Sequence, residues 1–329
     1  MTNYTIGVDL GGTNLRVAAV DERGQVIKRM SLGTQLSLGR ERVIDDMCHA
    51  IQELKSKFSA ASKLLGIGIG VPGIIDMESG TVREAANLPG WAGFPVRSEI
   101  ERRLQAQVIL ENDARVATLG EKWLGAGRGV DDMVMLTLGT GVGGGLVLGG
   151  KIWYGMGGMA AEFGHFTVEP EGHRCGCGNR GCLEQYASAT AVVRMAKESA
   201  AAGAKGLAGI AQLSSKTVYE LAQSGDPDAQ RVFAKVGWAL GIVLADLVNG
   251  LNLPMYVIGG GAESAWDAFA PTMFAELRAR SVVYLQSDPE KVAISGRKTL
   301  ITRAVLGSDA GLLGAARLPL MATTAPSPS

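Results

Sequence analysis

The chain has 329 residues, enough for about two domains at roughly 150 residues each, and it can bury a full core without disulfide support. Its 32 Lys and Arg balance 32 Asp and Glu, so no net field draws it onto nucleic acid or an anionic membrane, and a small neutral or chelated ligand is the natural partner. The opening MTNYTIGVDLGG lacks a basic n-region, an apolar core and a small-residue cleavage site, so no secretory signal is expected and the cytoplasm is the expected compartment.

In chain order, YTIGVDLGGTN (4–14) reads as a strand ending in a glycine turn, and Val43, Met47, Ala50, Ile51 and Leu54 follow with helical spacing. LLGIGIGVPG (64–73) is a second strand with a glycine end. VILENDARVATLGEKW places Asn112 and Asp113 between a short strand and a helix carrying Val116, Leu119, Gly120, Trp123 and Leu124. MVMLTLGTGVGGG (133–145) is a third strand and glycine cluster, and the following GLVLGGKIWYG reads as a hairpin turning at Gly149-Gly150. Helical patterns cover 188–202, 228–248 and 266–280, with the strand MYVIGGGA (255–262) before the last. The most apolar stretch, 236–261, is broken by Asp246, Asn249, Asn252 and Pro254, so it predicts a buried helix and strand rather than a membrane span. MATTAPSPS (321–329) predicts a disordered tail. Strands alternating with helices predict an α/β protein with a largely parallel sheet, and the first and third glycine-ended strands resemble the starts of two related halves.

Gly139, Gly141 and Gly144 have dinucleotide-fingerprint spacing, but that fingerprint must open a helix and a hairpin follows here. A Walker spacing begins at Gly145 and fails at Ile152, where Ser or Thr must hold magnesium. What remains is a set of turns without side chains, whose backbone N–H groups can line a phosphate. Asp9 can hold magnesium through water, with Thr13 and Asn14 as further polar partners. A plainer reading makes these glycines simple connectors; their recurrence at Gly259, Gly260 and Gly261 favours a nucleotide. Asn112 and Asp113 fit a helix cap, or, if Asp113 faces a ligand cleft, a base for a substrate hydroxyl.

EFGHFTVEPEGHRCGCGNRGCLE (162–184) holds three of the four cysteines and two of the three histidines. A Cys175–Cys177 disulfide would be strained, whereas Cys175, Cys177, Cys182 and one imidazole make a closed tetrahedral set for structural zinc. His165 is the favoured fourth ligand and His173 the alternative, though two residues before Cys175 it would crowd the loop. Glu162 and Glu184 flank the loop either as surface carboxylates, Glu184 in a helix first turn, or as acceptors for a polyhydroxylated ligand.

Together DLGGTN, GVPG, ENDARVATLGE, LGTGVGGG, EFGH and CGCGNRGCLE resemble the ROK family, the bacterial repressors and sugar kinases of the actin and hexokinase superfamily. The resemblance runs from Asp9 to the helix near Ala315. It implies a two-domain ribonuclease H-like α/β fold with the sugar in a cleft, a smaller domain of 1–113 plus about 305–320, and a larger one of 114–304. It makes Asp113 the general base, gives Asn112, Gly73 and Asn87 to the sugar, and sets Glu162, His165 and Glu184 on ring hydroxyls at the anomeric side. It puts His165 on zinc with the three cysteines. It places ATP phosphates at Gly11-Gly12 beside Asp9, Thr13 and Asn14 and at Gly139 to Gly143, including Thr140, Gly141 and Gly143, with adenosine at Gly259 to Gly261.

The activity implied is Mg-ATP-dependent phosphorylation of a hexose at the C6 hydroxyl, with Mg2+ and structural Zn2+, in a homodimer. Glucose is the first choice; N-acetylmannosamine, N-acetylglucosamine, fructose and allose are the alternatives. A repressor of the same family would carry an added helix-turn-helix, for which a phosphate loop starting at Asp9 leaves no room. A sugar sensor without catalysis would leave Asp113 and the phosphate loops unused.

Overall fold

The computed structural model describes residues 3–59, 61–85, 88–208, 210, 212–291 and 297–322. They form two compact units, one of Met1–Gly129, Gly150–Ala160 and Ser308–Ser329, the other of Val130–Gly149 and Ala161–Gly307.

The first unit begins with β1 (Asn3–Leu10), β2 (Asn14–Asp21) and β3 (Val26–Gly33), then α1 (Arg40–Ser56) and β4 (Lys63–Val71). A small ribbon of β5 (Ile74–Asp76) and β6 (Thr81–Glu84), α2 (Val96–Leu104), β7 (Ile109–Asn112) and α3 (Asp113–Leu124) follow. Its sheet runs β3-β2-β1-β4-β7. The first two pairings are antiparallel and the last two parallel. The second unit holds β8 (Met133–Leu138) and β9 (Val142–Leu148) and then, after β10 (Lys151–Ile152), which groups with the first unit, α4 (Glu184–Ala187), α5 (Ala189–Ala201), α6 (Ser215–Gln223) and α7 (Pro227–Leu251). Next come β11 (Met255–Gly259), α8 (Trp266–Arg280), α9 (Val282–Ser287) and β12 (Leu300–Arg303), and the chain ends with α10 (Ala310–Ala322), which returns to the first unit.

The second sheet, β10-β9-β8-β11-β12, repeats the plan of the first: β8 pairs antiparallel with β9 and parallel with β11, and β11 pairs parallel with β12. The two related halves expected from the glycine-ended strands are therefore visible as one topology used twice. The expected largely parallel sheet is instead mixed, because tight hairpins such as β1–β2, β2–β3 and β8–β9 turn the chain straight back. Four residues separate the paired Leu10 and Leu15, and the expected two-residue turn has both Gly149 and Gly150 at positive φ, the backbone that a primed hairpin turn requires.

The long apolar pattern forms α7, capped by the Asp226 carboxylate on the N–H groups of Asp228 and Ala229 and ended by Asn252 in the left-handed region. This helix is long and apolar enough to cross a membrane, but 67% of its apolar window is buried among its neighbours, as in a core helix. The boundary expected after Asp113 falls later, since 114–129 group with the first unit through the packing of α3 on α10. Met321 and Ala322, assigned to a disordered tail by sequence, are the last turn of α10; 323–329 lie outside the described residues.

α10 meets its neighbours backbone to backbone. A Cβ on Gly7 would lie 2.3 Å from the carbonyl oxygen of Leu312, one on Gly68 2.0 Å from that of Ala315, and one on Gly314 1.6 Å from that of Val116. Alanine is the better helix former by about 1 kcal/mol, so propensity alone favours Gly314→Ala. The space argument has the opposite sign and should win, since a carbonyl in a packed helix cannot move aside and overpacking costs about 1–3 kcal/mol. Gly314→Ala is therefore expected to lower the denaturation midpoint; a raised midpoint would show that the helices separate freely.

Candidate active site and metal centre

In the first unit, β1, β4 and β7 are parallel neighbours, so their carboxyl ends share one edge, where α/β sheets gather ligands. Asp9 comes from the end of β1, Gly73 from the turn after β4, and Asn112 and Asp113 from the step between β7 and α3. Asn112 is a cap and an organiser together. Its Oδ1 accepts from the N–H of Arg115 at 3.1 Å, and its Nδ2 donates to the Gly73 carbonyl at 3.1 Å and to Asp113 Oδ1 at 3.0 Å. The same oxygen of Asp113 accepts from the N–H of Ala114 at 2.9 Å. The Asp113 carboxylate is thus fixed by its neighbours, as a group serving as a base must be.

Asp9 feels that carboxylate. Burial first, and then the charge of Asp113, push Asp9 up to about 6, while Arg16, 3.8 Å away, pulls it back. Two acidic groups that resist joint ionisation are an arrangement which a hard cation relieves, so the oxygen donor Asp9 fits magnesium held through water. The loop beside it is open: Gly11 N–H donates to the Asn14 carbonyl at 2.8 Å, Gly12 and Thr13 are exposed, nothing lies within 4 Å of a Cβ on Gly12, and Asn14 opens β2.

Beneath the Asn112-Asp113 step lies a buried pair that sequence reading missed. Arg115 Nη1 meets Glu111 Oε1 at 3.2 Å with both side chains almost wholly buried, and the same oxygen accepts from the N–H of Asn112 at 2.8 Å. Arg115 Nη2 donates to the Gly158 carbonyl, and its guanidinium faces the ring of Tyr154. Burial and the Glu111 carboxylate hold the Tyr154 hydroxyl above its usual range. The signal was present as two opposite charges flanking the Asn-Asp pair, in a stretch otherwise built for burial.

In the second unit the loop between β8 and β9 is only Gly139, Thr140 and Gly141. Gly143, expected in that loop, pairs with Thr137 inside the ladder because the hairpin is so tight. Gly139 N–H donates to the Gly141 carbonyl at 2.9 Å, and the start of α5 holds the loop through Ala189 N–H to the Gly139 carbonyl and Thr190 Oγ1 to the Thr140 carbonyl, both at 2.8 Å. Gly259 ends β11 beside β8, and Gly260, at φ 88°, comes so close to Leu138 that a Cβ would lie 2.5 Å from its carbonyl oxygen. Gly261 opens into free space. The two glycine turns are adjacent in the second unit.

Glu162 precedes the 3-10 turn Phe163–His165, and Glu184 is the first residue of α4, its Oε2 accepting from the N–H of Val142 at 3.0 Å. The donor atoms of His165, Cys175, Cys177 and Cys182 all lie within 4.8 Å of one another. Cys177 Sγ is 3.7 Å from Cys182 Sγ, and Cys175 Sγ is 3.7 Å from His165 Nδ1. A disulfide needs about 2.05 Å. Tetrahedral zinc with sulfur at ~2.3 Å sets its sulfurs about 3.8 Å apart, so the donors fit zinc. His173 does not join them: its Nε2 faces Arg194 Nη1 at 2.6 Å, which settles the histidine alternatives for His165. Asn87 lies outside the described residues.

A model of the ROK family matches residues 5–321. The glucokinase of Halalkalibacterium halodurans is 37% identical over 94% of this chain and 93% of its own length, and that of Thermotoga maritima 39% identical over 95% and 96%. Among solved structures, a ROK family glucokinase from Streptomyces griseus in complex with glucose and AMPPNP superposes with a TM-score of 0.79, at 34% identity, over 96% of this chain and 98% of its own.

Two outcomes follow from this geometry. Cys177→Ser should drop bound zinc, measured by metal analysis, from about one per chain to near none, because a closed site needs all four donors. Arg115→Met should cost about 3–5 kcal/mol in denaturant unfolding by stranding the buried Glu111 charge, and a loss below 1 kcal/mol would mean that water reaches the pair.

Proposed function

We propose that this chain, which belongs to the ROK family, transfers the γ-phosphoryl group of Mg-ATP to the C6 hydroxyl of glucose. The observation that carries the reading is in the first unit. A carboxylate fixed at a strand-to-helix step, Asp113, acts electrostatically on a second, Asp9, at the root of an open glycine hairpin. The similarity to the glucokinases supports glucose as the acceptor and ATP as the donor.

In this reading Asp113 takes the proton of the C6 hydroxyl as its oxygen attacks the γ-phosphorus in line and ADP departs, leaving glucose 6-phosphate. Asn112 holds the base, and with Gly73 and Asn87 meets the sugar. Glu162, His165 and Glu184 accept from the other ring hydroxyls. Backbone N–H groups of Gly12, Thr140 and Gly141 face the phosphates, Gly11 shapes the turn through its bond to the Asn14 carbonyl, Thr13 and Asn14 add polar contacts, and the turn at Gly259 to Gly261 serves the adenosine. Asp9 would hold magnesium, which when bound would supply positive charge to the phosphate oxygens. His165, Cys175, Cys177 and Cys182 would hold zinc as a structural ion, with all four positions taken by protein, so that it would fix the loop and supply no chemistry. Cytoplasmic residence and homodimerisation belong to the same reading. Cysteine thiols gathered as metal donors rather than paired in disulfides support a reducing compartment, and the family resemblance supports the dimer.

The test is ADP release from Mg-ATP with glucose, N-acetylglucosamine, N-acetylmannosamine, mannose, fructose and allose, run beside Asp113→Asn. Turnover with glucose above the other sugars is expected, with kcat falling by at least about 1,000-fold in the variant and glucose affinity nearly unchanged. Another preferred sugar would replace the acceptor, and an active Asp113→Asn would remove the base.

A further inference from the structure

Glu184 follows the zinc-ligand position Cys182 by two residues, so the loop that aims it is the loop the metal set closes. Its carboxylate has a second occupation. Oε2 accepts the N–H of Val142, the first residue after the Gly139 to Gly141 loop, at 3.0 Å. A Cβ on Gly141 would lie 2.3 Å from that oxygen, so the space a side chain would fill there is taken by Glu184. The other end of Val142 is gripped too, since a Cβ on Gly164, inside the Phe163–His165 turn, would lie 2.0 Å from the Val142 carbonyl oxygen. Next along β9, a Cβ on Gly144 would meet the Ala161 carbonyl oxygen at 2.6 Å and the Phe163 ring. Both segments assigned to the sugar therefore close on one residue at the exit of the loop assigned to the phosphates. Glycines at 141, 144 and 164 are what allow the approach.

We infer that Glu184 is a positioning residue of the donor-phosphate loop as well as a sugar ligand, so that sugar and nucleotide bind with positive coupling through Val142. The inference rests on the assignments made under the proposed function. Sugar hydroxyls that fix the Glu184 carboxylate also fix the Val142 N–H, and with it the approach of Thr140 and Gly141 to phosphate. Linkage makes the effect reciprocal: whatever sugar does for nucleotide affinity, nucleotide does for sugar affinity by the same factor.

The experiment measures each ligand in the absence of the other, by calorimetric titration of zinc-replete protein with Mg-ADP and with glucose. In the wild type, saturating glucose should tighten Mg-ADP binding by about five- to tenfold. Glu184→Ala, with no sugar present, should weaken Mg-ADP by about tenfold. Glu184→Gln, which keeps an oxygen for the Val142 N–H, should restore most of that affinity while still binding glucose poorly. Gly141→Ala displaces the carboxylate from the nucleotide side and should weaken glucose by about tenfold with no nucleotide present. It is remote in sequence from the zinc donors, and so decides the matter if Glu184→Ala loses metal. Unchanged Mg-ADP affinity in Glu184→Ala, or unchanged glucose affinity in Gly141→Ala, would overturn the inference. A wild type that binds both ligands without coupling would overturn it alone, whereas a wild type that binds neither would overturn the kinase reading beneath it.

Discussion

The close approach of α10 to β1, β4 and α3 is the contact on which the first unit depends. Side chains would hold a helix about 10 Å from a sheet, whereas glycines at 7, 68, 120 and 314 bring its backbone against theirs. The last segment of the chain thereby fixes strands whose carboxyl ends carry Asp9, Gly73 and Asn112-Asp113. It also places Gly311, in its own first turn, against the Asp9 carboxylate, where a Cβ would lie 3.0 Å from Oδ1. Helix N–H groups left without partners in that turn favour negative charge nearby. The unit thus offers Asp9 that dipole and the charge of Arg16 against two adverse influences, burial and Asp113, and the Asp9 carboxyl still sits above its ordinary value.

The second unit solves a different problem. Between β10 and α4 the described chain forms only short turns and isolated bridges, so little regular backbone pairing is available to aim Glu162, His165 and Glu184. A metal set substitutes for that pairing. Three sulfurs and one imidazole nitrogen drawn together within 4.8 Å tie the turn Phe163–His165 to Cys182, two residues before α4, fixing both ends of the loop at once. The bridge between Thr167 and Cys182, and the N–H of Leu183 donating to the Phe166 carbonyl at 2.8 Å, extend the same tie into the backbone.

The parts legible in the sequence were those whose chemistry is local in the chain. A glycine pair after a strand, an Asn-Asp step before an apolar helix face and cysteines spaced by one and four residues each state their own requirement, and each lies where it was expected as an element. The mixed sheets were not legible in the same way. β3 is VIKRMSLG, mostly exposed and without an apolar run, so nothing in it announces a strand before β2 is there to pair with. The seating of α10 was hidden because its partners are carbonyl oxygens, which leave no periodicity to read. His165 and His173 were separated only in three dimensions, where Arg194 and Glu198 take the second imidazole. Glu111 and Arg115 escaped because charge in a sequence suggests solvent, and here each charge is buried only because the other is present.

Dividing the assigned residues between the units shows how the chemistry is apportioned. In the reading proposed above, the first unit carries the base and the magnesium partner, and the second carries the sugar-hydroxyl acceptors and two glycine turns. A kinase must keep ATP from reacting with water, and a base that stands ready whether or not sugar is present offers no protection. Selectivity has to enter through the positioning of the phosphate instead. A donor loop whose exit residue is held by a sugar ligand meets that need with a few atoms. The Val142 N–H is bonded to the Glu184 carboxylate, and on the coupling proposed above it reaches its working position when the hydroxyls of an acceptor, which water lacks, steady Glu184.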